Sequence, residues 1–202
     1  AYKIASYELT DDILISYIAK KDKPIILSTG MADIEEISHA IKTIQHTGNN
    51  QIVLLHCISI YPPTFKDLNL RAITTLRKTF KIPVGYSDHS RPPYFAPAIV
   101  AVALGACVIE KHLTDDKSGG SNDDPNSMDI NNFKLFVKEI RNAELALSVS
   151  GIKQPVSKPG HKNDEIFDRW SRRSIYAVVD LKPGDIISEK NVITLRPWGG
   201  IE

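Results

Sequence analysis

Five times along this chain a short apolar run ends in polar, chemically capable residues and is followed by an amphipathic stretch. The runs are Tyr2-Lys-Ile-Ala-Ser6, Pro24-Ile-Ile-Leu-Ser-Thr-Gly30, Ile52-Val-Leu-Leu-His-Cys57, Ile82-Pro-Val-Gly-Tyr-Ser-Asp-His89 and Ala106-Cys-Val-Ile-Glu-Lys-His112. Strand followed by helix at this rhythm describes a parallel α/β sheet, because parallel neighbours need a long crossover between them. In such a sheet the carboxyl ends of the strands gather at one face, where the following loops build a site. Reactive residues recurring at that position in successive units therefore describe a site as well as a fold.

The intervening stretches read as helices. Asp11–Lys20 places Ile13, Leu14, Tyr17 and Ile18 on one face, with Thr10 as cap. A second helix starts near Asp33 with the stripe Ile37, Ala40, Ile41 and Ile44, and Gly48 stops it. Leu68–Phe80 follows with Leu70, Ile73, Leu76 and Phe80, and then the small, apolar Tyr94–Leu104 ending at Gly105. Asp129 caps the longest helix, whose expected buried face is Phe133, Phe136, Val137, Ile140, Ala143 and Leu147.

The pattern then changes. Residues 149–172 contain Pro155, Pro159 and Gly160, with Ile166, Phe167 and Trp170 as apolar anchors, and read as a linker. Residues 173–202 read as the start of a small β-rich module, with strands at Ser174–Leu181, Ile186–Ile187 and Val192–Leu195 and a turn at Lys182–Asp185. Residues 1–148 form the βα domain. Five βα units are too few to close an eight-stranded barrel. This leaves two architectures: an open doubly wound sheet, or the later part of a barrel whose first three units lie outside the chain. The opening in strand-like residues without an initiator Met is expected of a fragment.

A formal net charge of +1 over 202 residues gives no reason to expect nucleic acid or an anionic membrane as partner. No apolar stretch approaches the roughly 18 residues of a membrane span. Cys57 and Cys107 lie inside apolar runs and read as buried free thiols, which fits a reducing cytoplasm.

Chemistry concentrates at the strand ends. Ser87-Asp88-His89 closes one strand and Glu110-Lys111-His112 the next. Adjacent strands lie about 5 Å apart, so His89 and His112 can either share a divalent cation or form a hydrogen-bonded pair at the rim. His56 reads as rim packing, and His39, His46 and His161 as solvated. Lys3, Ser6, Ser28, Thr29, Ser59, Ser87 and Lys111, with backbone N–H groups near Gly30, suit a phosphate or carboxylate. Each hydroxyl taken singly also suits a strand end or helix cap.

The ordered series is specific. It comprises Lys3-Ile-Ala-Ser6, Leu27-Ser-Thr-Gly-Met31, Leu55-His-Cys-Ile-Ser-Ile-Tyr-Pro62, Asn69-Leu-Arg-Ala-Ile73, Val84-Gly-Tyr-Ser-Asp-His89 and Val108-Ile-Glu-Lys-His-Leu-Thr114. Ser127-Met-Asp129, Arg172-Arg-Ser-Ile-Tyr176 and Arg196-Pro197 follow. This resembles the N-acetylneuraminate (sialic acid) synthase family, including its legionaminate and pseudaminate synthase relatives, over essentially the whole chain.

The resemblance implies strands four to eight of a (β/α)8 TIM barrel, a linker and the start of an antifreeze-like (SAF) domain, in a domain-swapped homodimer. It implies condensation of phosphoenolpyruvate with an open-chain N-acylhexosamine, giving a nine-carbon α-keto acid and phosphate. His89 and His112 match the pair that binds Mn2+, with Mg2+ or Co2+ as alternatives, and stand with Lys111 as the catalytic set. Lys3, Ser6, Ser28, Ser59 and Ser87 match phosphoenolpyruvate-binding positions. Tyr61 and Asp123 match positions near the sugar, and Arg196 matches an arginine that reaches the partner subunit's site. Three features depart from the common pattern: Ser59 follows Ile58 where Thr-Asn is usual, Ser118–Pro125 replaces Gly-Pro-Asp, and Trp198 stands where Gly is common. The competing readings are a metal-dependent pyruvate aldolase and a non-catalytic carbohydrate-binding or dimerisation remnant. The 202 residues alone are expected to be inactive, since an open barrel exposes two strand edges.

Overall fold

Strand order decides between the two parallel architectures. In the computed structural model, which describes residues 1–147 and 173–196, the strands are β1 (Tyr2–Ile4), β2 (Ile25–Ser28), β3 (Ile52–Cys57), β4 (Val84–Asp88) and β5 (Ile109–Lys111). They form one sheet in the order β1-β2-β3-β4-β5, and each neighbouring pair is parallel. A doubly wound sheet reverses its strand order at a switch point. Here sequence neighbours are always spatial neighbours, the winding of a barrel, and the result is a parallel half-barrel sheet. The chain divides into two compact units, Ala1–Ser150 and Gly151–Glu202.

The core of the first unit lies between the sheet and its helices. Ile25, Leu27 and Leu54 are fully buried, and Val84 and Tyr86 are 1% exposed. Helix α2 (Ile34–His46) follows the sequence closely. Asp33 and Glu36 form a capping box, which satisfies two N-terminal backbone donors at once. Ile37, Ala40, Ile41 and Ile44 are buried, and Gly48 turns the chain at φ +91°.

Helix α1 (Asp12–Ala19) is phased differently from expectation. Asp11, not Thr10, caps it, accepting the Leu14 N–H at 2.9 Å. Ile15 and Ala19 are buried, whereas Ile13 and Tyr17 are 86% and 61% exposed. Those two lie two residues off the buried pair, about 200° around the helix. His39 is exposed as expected, yet its Nε2 lies 2.8 Å from Asp12 Oδ2, tying α2 to α1.

Helix α3 (Ala72–Phe80) starts later than Leu68, because tight turns from Asn69 and Leu70 precede it and Asn69 adopts φ +41°. Helix α4 (Ala96–Ala103) carries Pro97 in its first turn and buries Ala98 and Ala101. It also starts later than expected, behind Pro92-Pro93. Helix α5 (Ile130–Ala146) is capped by Asp129 through the Asn132 N–H. Only Phe136 is fully buried, with Phe133 and Ile140 packed beside it. Val137 and Leu147 are 38% and 47% exposed, so the covered stripe is narrower than the sequence pattern. Cys57 is buried, but Cys107 is exposed. Cys107 precedes β5 and joins the sheet through its N–H to the Val84 carbonyl, leaving the thiol outside the core.

In the second unit, β6 (Ser174–Ala177) and β7 (Val192–Leu195) form an antiparallel ladder. The strand expected to reach Leu181 stops at Ala177, and Ile186 and Ile187 are exposed and outside any strand. The Lys182–Asp185 turn forms, with the Asp185 N–H on the Lys182 carbonyl and Gly184 at φ +100°. The expected linker at 149–172 and Trp198 lie outside the described residues. No helix among the described residues is long and apolar enough to cross a membrane.

Gly85 on β4 packs against the backbone of Val108, just before β5. A Cβ there would lie 2.4 Å from the Val108 carbonyl oxygen and 2.6 Å from Leu55 Cδ2. Gly85→Ala is expected to destabilise the fold by about 1–3 kcal/mol, the usual cost of overpacking a core. Urea unfolding of the variant beside its parent measures this, and an unchanged midpoint would show that the strands separate freely.

Candidate active site at the carboxyl ends of the strands

The carboxyl ends of all five strands enclose one cavity of about 320 Å³. Its wall takes Lys3, Ser6 and Tyr7 from β1 and the turn after it, Ser28 from β2, and Cys57 and Tyr61 from β3 and the following loop. Ser87, His89, Glu110, Lys111 and His112 come from β4, β5 and the residues just beyond. The period-2 alternation of a strand explains this selection. Ser87 and His89 share one face of the sheet, as do Glu110 and His112, while Tyr86 packs among the core residues on the other.

One side of the cavity suits an anion. Ser6 Oγ accepts the Gly30 N–H at 3.0 Å and lies 3.0 Å from Cys57 Sγ. A Cβ on Gly30 would come within 2.8 Å of Ser6 Oγ, 2.7 Å of Cys57 Sγ and 2.4 Å of Ser59 Oγ. Glycine is thus required by close approach, and Ser59 is brought to the same cradle. Lys3 Nζ is 3.4 Å from Glu110 Oε1, and its side chain is 33% exposed, so the ammonium is held at the rim and stays accessible.

The other side carries the imidazoles. The His89 and His112 ring centroids are 5.3 Å apart, and Tyr61 stacks on His89 at 4.2 Å. His89 Nδ1 lies 3.0 Å from the Ile58 carbonyl. A carbonyl can only accept, so Nδ1 carries the proton and Nε2 presents a lone pair. Tyr61 Oη and Ser87 Oγ each lie 3.3 Å from that Nε2. Ser87 spends its proton on Glu110 Oε2 at 2.5 Å, which leaves Tyr61 as the donor to His89. Burial lowers the His89 pKa, and the neighbouring His112 acts in the same direction. Tyr61 is raised to about 12, chiefly by burial, and keeps its proton. His112 is fixed through its carbonyl, which accepts the Met128 N–H at 2.9 Å, and its Nδ1 is 3.8 Å from Asp123 Oδ2.

Within the first unit the sequence-selected residues are largely brought together. The Lys111 side chain is 1% exposed, and its Nζ lies 3.2 Å from Asp88 Oδ2 and donates to the Ser90 carbonyl. Burial pulls its pKa down against the pull of Asp88. Arg196 is exposed in the second unit, at the end of the described residues. Glu110, which pairs Lys3 and binds Ser87, together with Asp88, Tyr7 and Cys57, was not singled out as a site residue from sequence. Spacing carried a signal for Glu110, since it stands two residues before His112. His56 is 5% exposed with Nε2 2.8 Å from the Leu68 carbonyl, a packing role. Among the described residues no cluster of three His, Cys, Asp or Glu is poised for a metal. His89 and His112 nevertheless fit as a two-nitrogen ligand pair, with further positions left to water or substrate oxygens.

A parallel half-barrel with imidazoles, a rim lysine and a serine-glycine cradle at its carboxyl face has the build of a (β/α)-barrel enzyme. The chain belongs to the NeuB family, whose model matches residues 1–151. It is 43% identical over 202 residues to the N,N'-diacetyllegionaminic acid synthase of Campylobacter jejuni, covering 99% of this chain and 58% of that protein. Identity to a pseudaminic acid synthase of C. jejuni is 42%, over 100% of this chain and 56% of the relative. The crystal structure of N-acetylneuraminic acid synthetase from Leptospira borgpetersenii, in complex with citrate, superposes with a TM-score of 0.71 at 32% identity. That match covers 82% of this chain and 55% of the other. The chain therefore spans a little over half the length of these relatives.

Burial lowers the His56 pKa, more than its bond to the Leu68 carbonyl raises it. A histidine depressed in the folded state is neutral there while the unfolded chain takes up a proton. Stability is therefore full above the unfolded pKa of about 6.5 and is lost as pH falls below it. His56→Gln, which can still donate to Leu68, is expected to flatten that acid-side slope. Denaturation midpoints at several pH values on either side of about 6.5 check this, and an unaltered slope would show that His56 is not depressed.

Proposed function

We propose that the protein carrying this chain condenses phosphoenolpyruvate with an N-acylhexosamine, N-acetylmannosamine or a related diacetamido sugar, to a nine-carbon sialic-acid-type α-keto acid and phosphate. The observation that carries this reading is the meeting, in one cavity of a NeuB-family chain, of the Lys3–Ser6–Gly30 anion cradle with the His89–His112 pair. On this reading the five strands are strands four to eight of a TIM barrel, residues 173–202 begin an SAF domain, and the enzyme is a cytoplasmic homodimer.

The residues divide the work by chemistry. Lys3 and the Ser6, Ser28 and Ser59 hydroxyls fix the phosphate and carboxylate of phosphoenolpyruvate, and Ser87 joins them by turning its proton from Glu110 to the ligand, so positioning supplies much of the rate. Glu110 holds Lys3 from behind at 3.4 Å and orients Ser87. Tyr61, protonated through the neutral range, and Asp123 face the sugar. His89 and His112 would hold a divalent ion, Mn2+ or alternatively Mg2+ or Co2+, which when bound would polarise the sugar aldehyde. In the reaction, C3 of phosphoenolpyruvate bonds to the aldehyde carbon and water adds at C2. The resulting tetrahedral centre then expels phosphate.

Inorganic phosphate release from phosphoenolpyruvate, dependent on both sugar and divalent ion, is the test. His89→Ala and His112→Ala are each expected to abolish it in a protein that remains folded. Lys3→Ala is expected to raise the KM for phosphoenolpyruvate roughly 10- to 150-fold, the loss of a charge-assisted hydrogen bond. Aldol products from pyruvate with no phosphate released would overturn the proposal in favour of an aldolase.

Arg196 is proposed to reach the partner subunit's site and bind the N-acyl group of the sugar. Mixed dimers of Arg196→Ala and His112→Ala subunits are then expected to regain about one working site per dimer. Heterodimers confirmed by mass that stay inactive would exclude the exchange.

A further inference from the structure

The Asp88–Lys111 pair is buried on both sides, with side chains 0% and 1% exposed. The two residues are register partners on β4 and β5, and each immediately precedes one of the histidines. Their bonds converge on one peptide segment. Asp88 Oδ1 accepts the Ser90 N–H at 2.9 Å and the Tyr86 hydroxyl at 3.3 Å. Lys111 Nζ donates to the Ser90 carbonyl. Both backbone groups of Ser90 are thus held by one ion pair, directly beyond His89. From the other side, the Ile58 carbonyl holds His89 Nδ1.

Burying two charges costs several kcal/mol per ion before their attraction returns it, and apolar replacements of such pairs are often neutral or stabilising. Stability alone is therefore a weak account of this pair. The geometry points to Asp88 and Lys111 as a positioning pair that clamps the His89–Ser90 backbone and so aims the His89 Nε2 lone pair into the cavity. Lys111 acts through His89 and does not touch substrate. Its ammonium is spent on Asp88 and Ser90, and although Lys111 lines the cavity its side chain is only 1% exposed. This rests on the reading of His89 as a reactive group of the proposed synthase.

The test removes both charges together, as Asp88→Asn with Lys111→Met, in the protein carrying this chain. Long-range 1H–15N spectra of the histidine side chains report the His89 tautomer without metal or substrate. The parent is expected to show a single Nδ1–H form. The double variant is expected to unfold near the parent's midpoint, yet show mixed tautomers. Its kcat for phosphate release is expected to fall roughly 10- to 100-fold, the usual effect of losing groups that orient a ligating histidine. The KM for phosphoenolpyruvate is expected to stay within about twofold, since a positioning loss falls on kcat. If the double variant does not fold, Asp88→Glu alone carries the same comparison, because it keeps both charges while moving the carboxylate one methylene away from the Ser90 N–H. A folded variant with a single tautomer and parental kcat would overturn the proposal. So would a raised KM with kcat unchanged, which would make Lys111 a substrate contact. Should the parent release no phosphate, the synthase reading fails, and the tautomer comparison by itself decides whether the pair positions His89.

Discussion

The parallel register of β4 against β5 organises the site more than any other contact. It pairs Ser87 with Glu110 and Asp88 with Lys111, one step apart. Because successive side chains point to opposite faces, that step separates two kinds of chemistry. Ser87, His89, Glu110 and His112 face the cavity, whereas Asp88 joins Lys111 and the Tyr86 hydroxyl out of solvent. A slip of one residue would exchange these sets and place the buried ion pair in the cavity. Gly85 protects the register, since any side chain there would collide with the β5 side of the ladder.

The same arrangement explains how the cavity keeps its groups in usable states. His89 is low in pKa because it is buried beside another imidazole, and the carbonyl of Ile58 selects its tautomer. Neutrality and orientation thus come from separate sources, burial for the first and backbone hydrogen bonds for the second. Lys3 shows the opposite solution. A third of its side chain is exposed, and Glu110 steadies it as a charged group at the rim.

Where the sequence was legible, one physical signal was enough. Helix α2 shows its start at Asp33, its 3.6-residue stripe and its stop glycine in the chain itself, and all three are present in the fold. Helix α1 is apolar on more than one face, so the phase set by the Asp11 cap could not be read from periodicity. The narrower face of α5 and the exposure of Cys107 depend on which elements pack against them, which no local pattern encodes. At the site, strand-end position was enough to select Lys3, Ser6, Ser28, Ser87, His89 and His112. The linkage of Glu110 to Lys3 is different. It joins residues more than one hundred positions apart in the chain across the mouth of the half-barrel, and only the curvature of the sheet brings them within 3.4 Å.

On the proposed reading, the cavity treats its two substrates differently. The groups assigned to the anion are mostly built in: Ser28 and Ser87 are 3% and 2% exposed, and Ser6 is locked to Gly30. Preorganised donors of this kind bind a fixed shape and lose affinity steeply when that shape changes. The groups assigned to the sugar are open, with Tyr61 42% exposed and the Asp123 side chain 57% exposed on a glycine-containing loop. Loops at the carboxyl face of a barrel can vary while the strands beneath them stay fixed. A rigid anion site beneath a changeable rim is what a common phosphoenolpyruvate chemistry applied to different acyl sugars requires. On that proposed reading, sugar preference resides in the Ser118–Pro125 loop and around Tyr61, and the chemistry in the strand ends below.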